Sequence, residues 1–429
     1  MLKKFLVTFI LFLYSNIVCA QDLLNILSDA FENNSRLNAE RANLNVSKQD
    51  LNISKGEFLP SITISGDVAT QKDTDRVDYS GAALQNTHGE PASKSVVIEQ
   101  KIFDGFTNYN DVRKAKLELE YSKIKLDKLE QTVLLDAVKV YYGLGYNYKN
   151  LEFNQLNFEL LERQFEADKS RLERGEIGLA DFAQSESSLA GANAKLIKAT
   201  NELVSGKRNF EKIIGSESPE KIDLGFFPNV AIPNSLQTAT AIAEQINPSL
   251  NLAKLDMEIA KKELLIARGD IAPSATLSYS LKKNEDLSSA VDEREQEEVK
   301  AVIKWPIFDG GKNLSSVKKA KFKAKQKQLI FDDVSKNIRI EIANAWTTYG
   351  SSKGLLDATR AQLKAAEIAN EGITLEYDSG SKRTTLEVIQ SRSLLLDSRT
   401  SYAKAQRDLA IAQFNLLAAI GDLYLDRIK

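Results

Sequence analysis

The chain has 429 residues, of which 27% are charged, and its formal net charge is only −2. This balance lacks the basic excess that is typical of nucleic-acid-binding proteins, so we expect no nucleic-acid partner. A single cysteine, Cys19, and a single histidine, His88, exclude intrachain disulfides, thiolate metal clusters and multi-histidine metal sites. We therefore predict no metal and no cofactor.

Enzyme activity is disfavoured on related grounds. His88 lies in a polar, loop-like stretch, where a histidine-based catalytic triad is not expected. Catalysis by carboxylate side chains is the one enzyme mechanism that these counts do not exclude. The acidic residues, however, are scattered along helix faces that we expect to be solvated. We predict that the chain is not an enzyme.

The first twenty residues have the pattern of an export signal. Two lysines precede an apolar stretch, and Val18-Cys19-Ala20 supplies small residues suited to cleavage. We predict a signal peptide over residues 1–20, whose removal lowers the net charge from −2 to −4. A retained anchor is the alternative, although the apolar core is short for a membrane span. A lipid-modified Cys19 is disfavoured because no small residue immediately precedes it.

Beyond this leader the sequence has no run of eighteen or more apolar residues, so we predict no membrane-spanning helix. Any part of the mature chain that enters a membrane would have to do so as β-strands, because only helices and closed sheets satisfy their backbone groups in lipid.

The mature chain contains an internal duplication. Pro60 recurs as Pro273, 213 positions later, while the Ile-Phe-Asp-Gly motif at 102–105 recurs at 307–310, 205 positions later. The change of offset places an eight-residue insertion in a polar stretch of the first copy. Loops accept such insertions at little entropic cost. The sequence therefore predicts two structural repeats, joined by a proline-containing linker.

Each repeat contains a predicted pair of strands. Apolar and hydroxyl residues alternate over 61–65 and 275–281, which indicates β-structure, and alternation resumes before each Asp-Gly pair. Each pair encloses a polar loop, at 70–95 and 283–297, that we expect in water. One such hairpin alone could belong to a soluble protein. Four strands cannot close on themselves, so a membrane sheet would need several chains, and three would give twelve strands.

Each repeat also contains a predicted helical hairpin. Proline is absent from 92–218 and from 307–429, and strong helix formers predominate there. The descending arm at about 107–174 would be roughly 100 Å long at 1.5 Å per residue. On the returning arms, apolar residues recur every seven positions beside a row of small residues, which predicts coiled-coil packing with close approach of the helices. The second-repeat rows are Val388, Leu395, Tyr402, Leu409, Leu416 and Leu423 beside Ser391, Ser398, Ala405, Ala412 and Ala419; the first-repeat rows are Phe182, Leu189, Leu196, Leu203 and Phe210 beside Ser185, Ala192, Ala199 and Gly206.

These elements define the predicted domain organisation. The first repeat, 21–225, has its strand hairpin at about 60–104 and its helical hairpin at about 107–215; the second repeat, 226–429, has them at about 273–308 and 311–425.

The motifs, in this order and repeated twice, resemble the TolC family of outer-membrane efflux and secretion channels. They are the Leu-Pro-Ser and Ala-Pro-Ser strand entries at 59–61 and 272–274, the Ile-Phe-Asp-Gly junctions, and the two helix-turn segments at 171–186 and 377–388. The resemblance implies a mainly α protein with membrane β-strands. Long α-helical hairpins would form a trimeric α-barrel tunnel in the periplasm, below a 12-stranded β-barrel in the outer membrane to which each chain contributes four strands.

The resemblance also implies function and partners. The chain would form a homotrimer in outer-membrane lipid and serve as the exit duct of a tripartite efflux pump or type I secretion system. It would receive substrates passively from a periplasmic adaptor (membrane fusion) protein and an inner-membrane pump. The energy would come from the pump, because no Gly-rich loop ending in Lys-Ser/Thr is present. The alternative is a periplasmic coiled-coil adaptor or structural protein without a pore, although adaptors pair one helical hairpin with compact β-rich domains.

Several site residues follow from the resemblance alone. Glu387 matches the first carboxylate of the family's periplasmic gate, and Gln390 stands at the second. A carboxylate ring in a narrow bore attracts cations, so one ring in place of two implies weaker cation preference. Asp181, Tyr377 and Arg383 match an inter-helix latch that holds the tip shut. Outside the family, all five would be ordinary solvated residues of helix ends.

Two features put the latch in question. In the family, the partner of the residue matching Arg383 has a hydroxyl group, but Ala180 stands at that position here. One additional residue after the second turn also shifts the register of Arg383.

Four further residues belong to the predicted helix turns. Glycines are expected to allow positive φ where the helices reverse. These residues are Gly175, Gly178 and Gly380. Leu179 is a candidate contact for the adaptor, or else a buried tip residue.

Overall fold

The computed structural model describes residues 23–428, with gaps at 75–76, 84–86, 229, 289–290 and 380–382. The predicted signal peptide at 1–20 and the predicted turn residue Gly380 lie outside the described residues. None of the described helices combines the length and apolar character that crossing a membrane would require.

The element order repeats once along the chain. In the first half the elements are α1 (23–33), α2 (Ser35–Gly56), β1 (Ser61–Val68), β2 (Gln71–Asp73), β3 (Thr87–Gly89), β4 (Ala92–Phe103), α3 (Thr107–Glu173) and α4 (Leu179–Ile214). In the second half they are α5 (Leu236–Ile246), α6 (Pro248–Gly269), β5 (Ser274–Ser288), β6 (Val291–Lys304), α7 (Lys312–Asp378), α8 (Thr385–Ile420) and a 3₁₀ turn (Leu425–Arg427). The short β2 and β3 fall in the polar stretch at 70–95, which is the longer of the two polar stretches in sequence. The repeat boundaries at 225 and 226 stay a prediction.

Spatial contacts divide the chain into two compact units that differ from the two sequence repeats. The sheet unit comprises Asn43–Lys123 and Leu252–Asp332. The helical unit comprises the described residues up to Ala42, Ile124–Asn251 and the chain from Asp333 onward. Each unit therefore takes segments from both halves of the sequence, because the long helices α3 and α7 contribute residues to both.

The sheet unit contains one antiparallel sheet of four strands in the order β1-β4-β5-β6. The two predicted hairpins are joined through β4 and β5, whose register runs from Ala92 opposite Glu285 to Phe103 opposite Ala275. The outer strands β1 and β6 each pair on one side only within the described chain. The sheet is thus open at both edges.

The two faces of this sheet differ in polarity because the alternation is in register across all four strands. One transverse row on the apolar face consists of Ile62, Ile98, Tyr279 and Val299. A neighbouring row on the opposite face consists of Thr63, Val97, Ser280 and Glu298. The apolar face is uncovered: Ile64, Val299 and Ile303 are 77%, 71% and 78% exposed.

The prediction of a polar loop at 283–297 is wrong, because β5 continues to Ser288 and β6 begins at Val291. Like charges face each other at two places in this segment, Lys94 opposite Lys283 and Glu285 opposite Glu293, and the ion pairs of Lys283 with three carboxylates offset them. Lys283 lies opposite Glu295 and its ammonium also contacts Glu293, while Lys94 on the neighbouring strand is 3.6 Å from Glu285. Each cross-strand ion pair contributes a fraction of a kcal/mol to about 1 kcal/mol to the stability of the sheet. In the first half, β4 likewise begins at Ala92, inside the predicted loop at 70–95.

The helical unit packs as the heptad pattern predicts. The largest fully buried side chains include Tyr141, Tyr142, Phe210 and Phe414. The small residues of both rows are buried, with the exception of the half-buried Gly206; they are Ser185, Ala192, Ala199, Ser391, Ser398, Ala405, Ala412 and Ala419. Short side chains at these positions let neighbouring helix backbones come close together.

Candidate functional site at the helical tip

The end of the helical unit where α3 turns into α4 is well defined by its backbone; we call this end, with the neighbouring ends of α7 and α8, the tip. Gly175 has φ 74°, in the left-handed region, as we predicted for it. The Glu176 amide donates to the Arg171 carbonyl and the Gly175 amide to the Leu172 carbonyl, both at 2.9 Å. This pair of bonds is a Schellman motif, which satisfies carbonyls that the end of a helix would otherwise leave unpaired.

The prediction of positive φ at Gly178 is wrong. Gly178 is the N-cap of α4, with φ −83° and ψ 163°, an extended conformation open to any residue. Leu179, the first residue of α4, is 73% exposed, which favours the predicted contact residue over a buried one. Its role as an adaptor contact stays a prediction.

The start of α8 is fixed by a capping box. The Thr384 hydroxyl accepts a hydrogen bond from the Glu387 amide, and a Glu387 carboxylate oxygen accepts one from the Thr384 amide at 2.8 Å. The other oxygen of Glu387 accepts from Arg383 at 2.8 Å. The Thr384 amide, followed by Arg383, holds the pKa of Glu387 below its usual range. The predicted gate residue is therefore ionised and paired at the first turn of a helix.

Four helices meet around one fully buried carboxylate, that of Asp168 on α3, which is 0% exposed. Its oxygens accept hydrogen bonds from Gln164 at 3.1 Å and from the hydroxyl of Ser185 on α4. The Arg171 guanidinium lies 3.7 Å away and supplies the compensating positive charge. A buried carboxylate is tolerated only when it is paired and hydrogen-bonded in this way.

Tyr377 connects this carboxylate to the other two helices. Arg171 donates a hydrogen bond to the Tyr377 hydroxyl and its guanidinium lies 5.3 Å from the ring centroid. The same hydroxyl accepts from Gln164 at 3.3 Å and lies 3.2 Å from the Thr385 hydroxyl on α8. We call Gln164, Asp168, Arg171, Ser185, Tyr377 and Thr385 the tip network.

Arg392 of α8 lies beside the tip network. Its guanidinium donates to the Leu160 carbonyl and to the Gln164 side chain, both at 3.5 Å. Burial lowers the pKa of Arg392 from its ordinary value. Just beyond, Leu161, Ala192 and Ile389 form a small apolar core that joins α3, α4 and α8.

The three predicted latch residues are not brought together within one chain. Asp181 lies exposed in the first turn of α4, where a negative charge is favourable at the helix N-terminus. Tyr377 contacts Arg171 rather than Asp181, and Arg383 pairs with Glu376 at 2.6 Å and with Glu387. Gln390 is exposed one turn beyond Glu387. The latch and the gate stay predictions.

The sequence reasoning missed Asp168, Gln164 and Ser185 as polar centres of the tip. One signal was available, because Asn154, Leu161 and Asp168 are seven residues apart and all are buried. An acidic residue in a heptad row, opposite the small Ser185, is a candidate for a buried ion pair. Among the described residues, no group of three or more His, Cys, Asp or Glu side chains is arranged to hold a metal ion.

Comparison with known proteins agrees with this architecture. The outer membrane efflux protein family matches residues 26–216 and 241–422. The chain is 25% identical over 413 residues to the outer membrane efflux protein BepC of Brucella suis biovar 1 (strain 1330), covering 95% of this chain and 87% of BepC. It is 23% identical over 420 residues to the outer membrane protein TolC of Vibrio cholerae serotype O1 (strain ATCC 39315 / El Tor Inaba N16961), with coverages of 95% and 92%.

Solved structures share the fold. The Campylobacter jejuni CmeC outer membrane channel superposes with a TM-score of 0.81 at 16% identity, covering 93% of this chain and 85% of CmeC. These relatives are channels and not enzymes. The family match covers most of the sequence, so the chain belongs to the outer membrane efflux protein family and is an outer-membrane efflux channel protein, with the helical tunnel of this fold in the periplasm.

Proposed function

We propose that three copies of this chain form the exit duct of a tripartite efflux pump or type I secretion system. The single observation that carries this proposal is the four-stranded sheet, which is apolar and uncovered on one face, polar on the other and open at both edges. An apolar face of this kind is stable in lipid, whereas a soluble adaptor or rod would leave it in water.

The open edges require further copies of the chain. In lipid, each unpaired backbone group at β1 or β6 would cost several kcal/mol. Pairing β6 of one copy with β1 of the next removes both edges, and three copies close a sheet of twelve strands around a water-filled interior. The polar face, with its serine, threonine and lysine side chains, would then line that interior.

The tip network is the proposed fastening of the closed duct. Tyr377 connects α7 and α8 to α3 and α4 through this network. Separation of α7 and α8 from α3 and α4 would therefore break the hydrogen bonds of Tyr377 and expose Asp168. We propose that docking of a periplasmic adaptor and an inner-membrane pump supplies the free energy for this separation. The exposed Leu179 is the proposed contact for the adaptor.

The test is planar-bilayer recording of the purified full-length chain, with its mass in detergent measured by sedimentation. We expect a trimer and discrete ion conductance. A stable monomer that produces no conductance and stays in the soluble fraction would contradict the proposal and favour the adaptor or structural alternative.

A further inference from the structure

The first turns of α7 are strongly basic. Between Lys312 and Lys327 the sequence contains seven lysines and no acidic residue. Two of them pair with α6: Lys323 lies 2.8 Å from Glu263, and Lys327 lies 2.7 Å from Asp256. The others are exposed. Among these, Lys318, Lys319 and Lys321 lie within about one turn of α7 and project from different sides of it; we call these three residues the lysine collar.

The corresponding part of α3 does not share this character, although it follows the same Ile-Phe-Asp-Gly motif. There, Lys114 lies 3.7 Å from Asp111 and 3.8 Å from Glu118 on its own helix. In the first repeat, acidic residues of the same helix thus pair with Lys114. The lysine collar has no acidic residue of its own helix nearby to pair with. Helix propensity does not account for the difference, because glutamate and lysine are about equally good helix formers. The uncompensated positive charge points to an anionic partner.

The position of the lysine collar identifies that partner. β6 ends at Lys304, and the side chains of Trp305, Ile307 and Phe308 that follow are 61%, 84% and 87% exposed. Exposed tryptophan and other aromatic residues next to an apolar sheet face are typical of the boundary between a membrane and water. This boundary assignment rests on the proposed function, since it requires the sheet to lie in lipid.

The lysine side chains can reach this boundary. The three lysines lie about 9–14 Å from the first residue of α7, at 1.5 Å per residue. Side chains on a helix tilt toward its N-terminus, which here is the end next to the sheet. Long lysine side chains extend further in that direction. Their ammonium groups are therefore directed toward the boundary region, and attraction to anionic lipid extends over roughly a Debye length, about 8 Å, from the lipid surface.

We propose that the lysine collar binds the phosphate groups of anionic phospholipids in the membrane leaflet that borders the helices. A lipid phosphate carries the charge complementary to the three ammonium groups, and the aromatic side chains at 305–308 would lie against the acyl chains of the same lipid. The collar would hold the channel at a fixed depth and enrich anionic lipid around it.

The test uses the full-length channel reconstituted in phosphatidylcholine vesicles with a minority of phosphatidylglycerol. Electron paramagnetic resonance of spin-labelled lipids measures the relative association of phosphatidylglycerol and phosphatidylcholine with the protein. We expect a preference of about fivefold or more for phosphatidylglycerol, the contribution of one lysine near a lipid surface. The K318Q/K319Q/K321Q variant should bring the ratio close to unity.

The matched control is K336Q/K353Q/K364Q, which removes the same charge from exposed positions farther along α7 and should leave the preference unchanged. An unchanged preference in the collar variant, or an equal loss in the control, would overturn the proposal. So would loss of the trimer in the collar variant, because the lysines would then contact a second copy. Conductance recorded from the same vesicles reports separately on the proposed channel function.

Discussion

Asp168 illustrates how one buried charge can fasten four helices. Replacing it with asparagine keeps the shape of the side chain but removes the charge that Arg171 compensates, and it leaves a buried donor facing Ser185. We expect Asp168→Asn to weaken the closed tip by about 1–3 kcal/mol. In planar bilayers this should appear as a larger resting conductance.

The matched control is Asp181→Asn, the same substitution at the exposed residue of the predicted latch. If the tip network fastens the closed state, this control should have the conductance of the unaltered chain. A larger conductance in Asp181→Asn than in Asp168→Asn would instead favour the latch inferred from the family.

Glu387 and Arg383 set the charge at the predicted gate. Because Arg383 is 2.8 Å from Glu387 and also pairs with Glu376, it compensates part of the negative charge there. We expect Arg383→Gln to raise the cation-to-anion permeability ratio and Glu387→Gln to lower it. Reversal potentials in a potassium chloride gradient measure both changes. Identical ratios in the two variants would place these residues away from the conducting path.

The pH dependence of this gate follows from the lowered pKa of Glu387. A glutamate whose pKa in the folded chain lies below the usual 4.5 stays ionised at and above that pH, and its stabilising interactions are lost only as the pH falls through the lower, folded value. Cation preference should therefore persist from neutral pH to pH 4.5 and decline only below it. A decline centred on neutral pH would require a different titrating group.

At the scale of elements, the two faces of the sheet make opposite predictions for neighbouring residues of β6. Val299 lies in the apolar row with Tyr279, whereas Glu298 lies in the polar row with Ser280. An arginine on a lipid-facing side near the middle of a bilayer costs about 2–4 kcal/mol. We therefore expect Val299→Arg to reduce the amount of folded, membrane-inserted channel.

Glu298→Arg is the control, since it places the same side chain one residue away on the face that we assign to water. It should insert normally and change only ion selectivity. Separation of folded from unfolded protein by semi-native electrophoresis, after refolding into lipid vesicles, measures both variants. Equal loss in the two variants would mean that neither face lies in lipid.

The elements themselves were largely predictable from sequence because their patterns are local. Strict alternation located the strands, and the proline-free stretches and heptad rows located the helices, as the bounds of α3 and the burial of Ser391 and Ser398 illustrate. Local patterns were insufficient for the charged ends of β5 and β6. Their extension depends on which charge lies across the ladder, and this requires the register between strands.

Across the whole chain, the sequence predicted four strands that contribute to one sheet, but not the register by which the two hairpins join in it. Pairing of β4 with β5 joins residues from opposite halves of the chain, and no short motif encodes so distant a register. The tip network was missed for a similar reason. Gln164 and Asp168 resemble ordinary polar helix residues until Tyr377, more than two hundred residues later, is placed beside them.

The unpaired edges of β1 and β6 also affect the chain before it assembles, because they make it prone to aggregation. A newly exported copy has two unpaired strand edges that can pair with other extended peptides. It also exposes the apolar face of the sheet to water. Pairing of these edges with other chains therefore competes with pairing to a second copy. Biogenesis of this channel should accordingly depend on chaperones that cover the sheet before it reaches the membrane. Overproduction should exceed the capacity of these chaperones and cause the protein to aggregate.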